Sequence, residues 1–219
     1  MKKSILNAAI LVGCLFFNKQ SIGQIERGKW ISTIGISYNS YKGDKTTSSQ
    51  TSSRTNISGN IEIGKFLSNK FEIGIGLSPF SYTTKEVYTS DSYYNETRNG
   101  IDYYLFSQMF KRIDEKFYYA PLIKFQFTAG KSIYKTKTPG FNETSSYFKN
   151  TSYGVEIQPL IFSYLLKKKF LLQTGLGKIG YGYSKSSTDA PNSDAAGSGN
   201  SFAFDFSPFI TSIKISLLF

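Results

Sequence analysis

The chain has 219 residues, with 19 Gly, 19 Phe, 16 Tyr, one Trp, one Cys and no His, and carries a formal charge of +11. Its length fits one β domain, and the weight of β-branched residues, aromatics, Gly and Ser favours an all-β fold. Without histidine the usual general base near neutral pH is missing, and a lone cysteine excludes a disulfide framework.

Residues 1–23 read as a cleaved signal peptide, with Lys2 and Lys3 as the basic start, an apolar stretch over 5–17 and Ser21-Ile22-Gly23 before the cut. The apolar run is shorter than a membrane-spanning helix needs. A rival reading is the lipobox Leu11-Val12-Gly13-Cys14, with Cys14 lipidated, but Leu15-Phe16-Phe17 continues the apolar run where a polar tether is expected. Losing Lys2, Lys3 and Lys19 with the leader takes three charges from the +11 and leaves +8 on the domain at 24–219.

A period of two marks half-buried strands. The first predicted strand, 29–39, sets Trp30, Ile34, Ile36 and Tyr38 opposite Thr33, Gly35, Ser37 and Asn39. After a polar segment at 40–54 come two strands joined by Leu67-Ser68-Asn69-Lys70. They set Ile57, Ile61 and Ile63, then Phe71, Ile73, Ile75 and Leu77, against Asn, Ser, Gly and Glu. A second polar segment, 83–99, precedes a fourth strand at 101–112 with aromatics on both faces. The fifth, 117–134, alternates Ile123, Phe125 and Phe127 with Lys124, Gln126 and Thr128. Beyond 135–150, the sixth (151–166) sets Tyr153, Val155, Ile157 and Ile161 against Gly154, Glu156 and Gln158. The seventh (170–184) slips phase at Lys178, as a bulge would make it. After 185–201 the eighth runs to Phe219, slipping near Ser207-Pro208. Pro79, Pro121, Pro159 and Pro208 fall inside predicted strands, where each removes a ladder hydrogen bond.

The eight strands are joined by alternately long and short connections. That sorting suits an antiparallel up-and-down barrel threaded through a membrane, with short periplasmic turns and four long extracellular loops. Trp30, Phe66, Phe71, Phe110, Phe117, Phe170 and Phe219 fall near the short turns. Tyr38, Tyr82, Tyr134, Tyr153, Tyr181, Tyr183 and Phe202 fall near the long connections, as two interfacial girdles would.

On this architecture, and on an aromatic last residue preceded by alternating apolar positions, the chain resembles the small eight-stranded outer-membrane barrels of Gram-negative bacteria, the OmpA/OmpX-like superfamily. The resemblance implies a C-terminal assembly signal at Ile213, Ile215, Leu217 and Phe219, read by the barrel assembly machinery, and a place in the bacterial outer membrane.

The face opposite the apolar one collects Glu62, Glu72, Lys124, Gln126, Glu156, Gln158 and Lys214. In a lumen only wide enough for side chains these charges must pair, so the first reading is a structural polar network; a narrow pore or proton-responsive plug is the sharper one. Gly74-Ile75-Gly76 and Gly175-Leu176-Gly177-Lys178 look like phosphate loops but lack the full motif, and read as strand glycines facing a crowded lumen. No catalytic motif, cofactor site or metal cluster stands out, so no enzyme activity and no cofactor are expected. Expected partners are outer-membrane lipid, lipopolysaccharide phosphates and a surface ligand or protein met by the loops; nucleic acid is not expected for an exported chain. Two further readings stay open: a lipocalin-like barrel with its apolar face turned inward around a ligand, and an accessory barrel of a transport or secretion system.

Overall fold

A computed structural model describes residues 25–45, 50–89, 91–166, 169–188, 197–205 and 212–219. The leader at 1–23 with Cys14, the triple-lysine turn except Lys169, and the second phase slip at Ser207-Pro208 lie outside the described residues.

The described residues form a single antiparallel sheet of thirteen strands. They are β1 (Trp30–Lys45), β2 (Gln50–Ser68), β3 (Phe71–Thr89), β4 (Ser92–Met109), β5 (Lys111–Arg112), β6 (Phe117–Tyr119), β7 (Leu122–Lys137), β8 (Thr144–Gln158), β9 (Leu160–Leu166), β10 (Phe170–Leu176), β11 (Lys178–Thr188), β12 (Gly197–Asp205) and β13 (Ser212–Leu218). Thirteen in place of the expected eight has a local cause. The first three predicted strands are unbroken, the fourth to seventh are each divided, and the eighth is described as β12 and β13 on either side of 206–211, which lie outside the described residues. Phe110 separates β4 from β5, Ala120-Pro121 separates β6 from β7, and Pro159 separates β8 from β9. Gly177, with φ +72°, separates β10 from β11. A proline has no N–H for the ladder, and a left-handed residue bends the strand. Hydrogen bonding bridges some of the breaks, for Met109 N donates to Pro121 O (3.1 Å) and Ala120 N to Ile161 O (2.8 Å). Pro79 is accommodated within β3, opposite Ile101.

The sheet curls. β1 pairs with β2 over its whole length and, on its other side, with β13 from Ile31↔Leu218 to Ser37↔Ser212. Trp30 N donates to Phe219 O (2.9 Å) and Phe219 N to Trp30 O (3.0 Å), so the start of β1 and the chain end are zipped together.

The described parts of the segments expected as long loops, 40–54, 83–99, 135–150 and 185–201, are instead largely strand. Ladders run on to Lys45↔Gln50, Val87↔Tyr93, Thr136↔Thr144 and Ser186↔Gly197. These stretches are polar but rich in Thr and Tyr, which favour the pleated conformation; polarity on both faces marks solvent on both sides rather than loss of the strand.

Side chains are distributed inside out. Ile36 is 61% exposed and Phe125 58%, whereas Glu62 is 5% and Lys124 9% exposed. The outward band includes Ile61, Ile63, Ile75, Leu105, Phe127 and Ile215. Of the aromatics expected in the two girdles, Trp30, Phe71, Phe117, Tyr38, Tyr153, Tyr181 and Phe202 are exposed. Phe66 and Phe110 are instead buried, their rings packed at a tilt with centroids 5.3 Å apart. Tyr82, which accepts a hydrogen bond from Thr84, also turns inward, as does Tyr134. Ile161, expected on the apolar face, is buried because the Pro159 break changes its phase.

Strand glycines make room for inward rings. A Cβ at Gly76 would lie within 3 Å of three Tyr104 ring and hydroxyl atoms. Gly76→Val is therefore expected to destabilise the fold by about 1–3 kcal/mol through overpacking. The check is the denaturant midpoint of refolded protein, and an unchanged midpoint would refute the tight Gly76–Tyr104 fit.

Candidate functional site

The inward face is built in layers that the alternation of each strand sets. Beside the short turns lies an apolar floor of Ile31, Phe66, Phe110, Leu122, Leu171 and Leu218, all 1% exposed or less. One inward step further, Thr33 Oγ1 donates to Ser216 Oγ (2.7 Å), Gln173 Nε2 to Ser163 Oγ (2.9 Å) and Gln108 Nε2 to the Ala120 carbonyl (2.8 Å).

The next layer is ionic. Lys214 Nζ and the Tyr104 hydroxyl both donate to Glu62 Oε1, at 2.7 and 2.8 Å. The Lys214 stem crosses β1 over Gly35, where a Cβ would sit 2.8 Å from Lys214 Cγ. Lys124 Nζ lies 4.4 Å from the centroid of the Tyr104 ring. Glu72 is buried, its carboxylate lying against Gly64.

Above this layer the lumen opens into a polar cavity of about 640 Å³. Gln126, Glu156 and Gln158 line it, with Gln158 Nε2 donating to Glu156 Oε1 (2.7 Å) and Lys178 Nζ 3.9 Å from Glu156 Oε2. Thr128 donates to Asp102 (2.6 Å), and the Arg98 guanidinium lies 5.8 Å from the Phe80 ring centroid.

The residues expected on the polar face are thus brought together inside: Glu62 with Lys214, Lys124 beside them, and Glu156 with Gln158. Glu72 stands apart with Gly64. The sequence reading missed Tyr104, Asp102 and Arg98, and it missed the apolar floor. Its signal was present, since Trp30-Ile31, Leu165-Leu166, Leu171-Leu172 and Leu217-Leu218 are apolar on both faces beside the short turns. Of the expected C-terminal signal, Ile213 and Ile215 point outward, and Leu217 and Phe219 are half-buried. Among the described residues no group of three or more Asp, Glu, His or Cys gathers as a metal site.

At the far end of the hairpins, Glu143 accepts a hydrogen bond from the Tyr93 hydroxyl and pairs with Lys135 (3.3 Å). The Tyr93 hydrogen bond, then Lys135, hold the Glu143 carboxyl below its ordinary range.

No protein-family model matches the sequence, and no curated protein does either. Among solved structures, the chain is similar to the outer membrane protein OprG from Pseudomonas aeruginosa, with 14% identity, TM-score 0.48, and coverage of 91% of this chain and 99% of that one. Neisserial surface protein A (NspA) matches at 11% identity and TM-score 0.32, covering 88% and 97%. Ail, the attachment invasion locus protein of Yersinia pestis, matches at 12% and 0.31, covering 88% and 96%.

Glu62→Leu, which strands the Lys214 ammonium, is expected to cost about 3–5 kcal/mol of stability, and Glu62→Leu/Lys214→Met to recover most of it. Urea unfolding in lipid vesicles measures both, and equal midpoints for the two variants would show that the pair is not coupled. For Glu143 the sign runs with its lowered pKa: the hairpin contact is present at neutral pH and lost as pH falls below the usual carboxylate range. Carboxyl NMR should give Glu143 a midpoint below 4.5, and Tyr93→Phe should raise it.

Proposed function

We propose that the chain is a closed eight-stranded outer-membrane β-barrel of the OmpA/OmpX-like kind, without enzyme activity, that anchors surface-exposed hairpins for contact at the cell surface. The observation that carries this reading is the inverted polarity: Glu62, Lys124, Gln173 and Lys214 are buried while Ile61, Ile63, Ile123, Phe125, Phe127, Leu172, Ile213 and Ile215 of the same strands are exposed. In water that outer surface would be a very large apolar patch. In lipid it is the required one, and the backbone polar groups find partners within the sheet.

Closure is supported by the ladders. If the segments divided at Phe110, Ala120-Pro121, Pro159 and Gly177 are joined again, and β12 is counted with β13 across the residues that are not described, eight long strands result, and each pairs with its neighbours in order. The first meets the last through β1 and β13. Strands of 15–19 residues such as β2, β3 and β8 exceed the nine to eleven or so that cross a bilayer. Their upper parts then stand outside the membrane, presenting Tyr41, Phe141 and Tyr147, each more than half exposed. Outer-membrane lipid, the assembly machinery and a surface ligand or protein are the partners this reading implies. A lipocalin-like barrel needs an apolar interior, and the interior charges speak against it.

The test is membrane fractionation followed by denaturing electrophoresis with and without boiling. The expected result is an outer-membrane band whose mobility changes on boiling. A soluble band of one mobility would overturn the proposal.

A further inference from the structure

Two parallel rows of apolar side chains cross the outer face at right angles to the strands. Cross-strand pairing sets the first as Ile61, Leu77, Tyr103, Phe127, Tyr153 and Tyr183. The second is Ile63, Ile75, Leu105, Phe125, Val155 and Tyr181. Between them runs a groove of about 960 Å³, six strands long. Its floor is the backbone of the intervening row, from Glu62 through Gly76, Tyr104, Gln126 and Gly154 to Gly182. The next rows outward are not apolar throughout: one holds Lys65 and Ser107, the other Thr151 and Lys185.

The groove climbs. On β2 its floor at Glu62 is close to the short turn before β3, whereas on β11 its floor at Gly182 is far along toward the hairpin end at Thr188. The low end is aliphatic, with Ile61, Ile63, Ile75 and Leu77. The high end is aromatic, with Tyr153, Tyr181 and Tyr183, and the Tyr153 and Tyr183 rings lie 5.2 Å apart. Strands lie about 4.8 Å apart and alternate residues about 6.6 Å apart, so the groove is about 24 Å long and only one chain wide. With strands tilted by about 40°, that length rises about 15 Å, the depth of one leaflet of a hydrocarbon core about 30 Å thick.

These dimensions select the occupant. The gap is too narrow to seat a helix about 10 Å across. A peptide strand in lipid would need hydrogen-bond partners, and the backbone of the floor is engaged in ladders. A second copy related by a two-fold axis would bring the same groove to this face, and two grooves leave a void between them. A hydrocarbon chain needs no polar partner, and neither row carries a Lys, Arg, Asp or Glu. Resting on the membrane reading above, we infer that the groove is a site for one acyl chain of an outer-leaflet lipid, its headgroup at Tyr153, Tyr181 and Tyr183 and its tail toward Ile63 and Ile75. Apolarity alone gives no preference for a protein surface over other lipid tails, so contact along both rows is what holds the chain.

The experiment inserts the full domain in phosphatidylcholine vesicles containing dipalmitoyl- or dioctanoyl-phosphatidylethanolamine, extracts it in mild detergent and reads bound lipid by native mass spectrometry. The wild type should keep the dipalmitoyl lipid about tenfold better than the dioctanoyl one, whose chains stop short of the aliphatic end. Ile75→Trp/Val155→Trp, which crowds the gap, should lose the lipid while keeping its mobility shift on heating. Tyr153→Ala/Tyr183→Ala, which removes the high end, should lose it too. Ile36→Trp/Ile213→Trp adds the same bulk at a cross-strand pair outside the groove and should keep the lipid. An inserted wild type that carries no lipid, or both lipids equally, overturns the site. So does full retention by either groove variant, or equal loss in the control. A dimer mass in place of bound lipid gives the face to a second copy and overturns it as well. A wild-type chain that fails to insert at all sinks the membrane reading itself, an outcome distinct from these.

Discussion

The constraint on which the rest of the molecule depends is the cost of a charge without water. Glu62, Lys214 and Lys124 sit in a lumen where an unpaired ion would be worth several kcal/mol of destabilisation. The arrangement meets that cost with two hydrogen bonds on one carboxylate oxygen and an ammonium over an aromatic face. Each of these contacts spans more than one strand: Lys214 reaches from β13 across β1 to β2, and Tyr104 from β4 across β3 to β2. The ionic layer therefore works as a set of cross-ties inside the curled sheet. It also explains the small residues of the polar face, since Gly35 and Gly76 are the openings through which the ties pass.

The layers on either side differ in kind. Toward the short turns the lumen is filled with aliphatic and aromatic side chains, much as a soluble core would be. Toward the hairpins it is polar, with Asp102, Glu156 and Arg98 around an open cavity. The outer surface carries a second gradient along the same axis, from an apolar band to strands polar on both faces. Inside and outside thus change character at different heights, and the ionic layer lies where the apolar floor ends.

Much of this was legible in the residues. Alternation of Ile61 and Ile63 with Glu62, or of Phe125 and Phe127 with Lys124, fixes both the strand and its polar face, because a pleat has a period of two. The sorting of the connections pointed to antiparallel pairing, and every ladder among the described strands is antiparallel. What the residues concealed is also physical. Polar composition over 83–99 suggested a loop, yet Thr83, Tyr93 and Thr97 pair as well as aliphatic residues do once a partner strand is fixed. In the fourth strand aromatics on both faces left the phase open, and only the contact of Tyr104 with Glu62 decides it. Ile161 followed the expected phase on paper, but Pro159 breaks the strand just before it and shifts the phase.

The paired hairpins have a mechanical consequence. At about 3.3 Å per residue, the 19 residues of β3 make a ribbon of roughly 60 Å; on the membrane reading proposed above, with a tilt of about 40°, it would rise well clear of an apolar band about 25 Å tall. A loose loop would absorb a pull at its tip by changing shape. A laddered ribbon passes the load down its hydrogen bonds into the wall, so tension applied at Tyr88 or Tyr93 reaches the strands that hold Glu72 and Tyr104. On the membrane reading proposed above, the hairpins are levers whose fulcrum is the membrane surface, and the ionic cross-ties are what they bear upon.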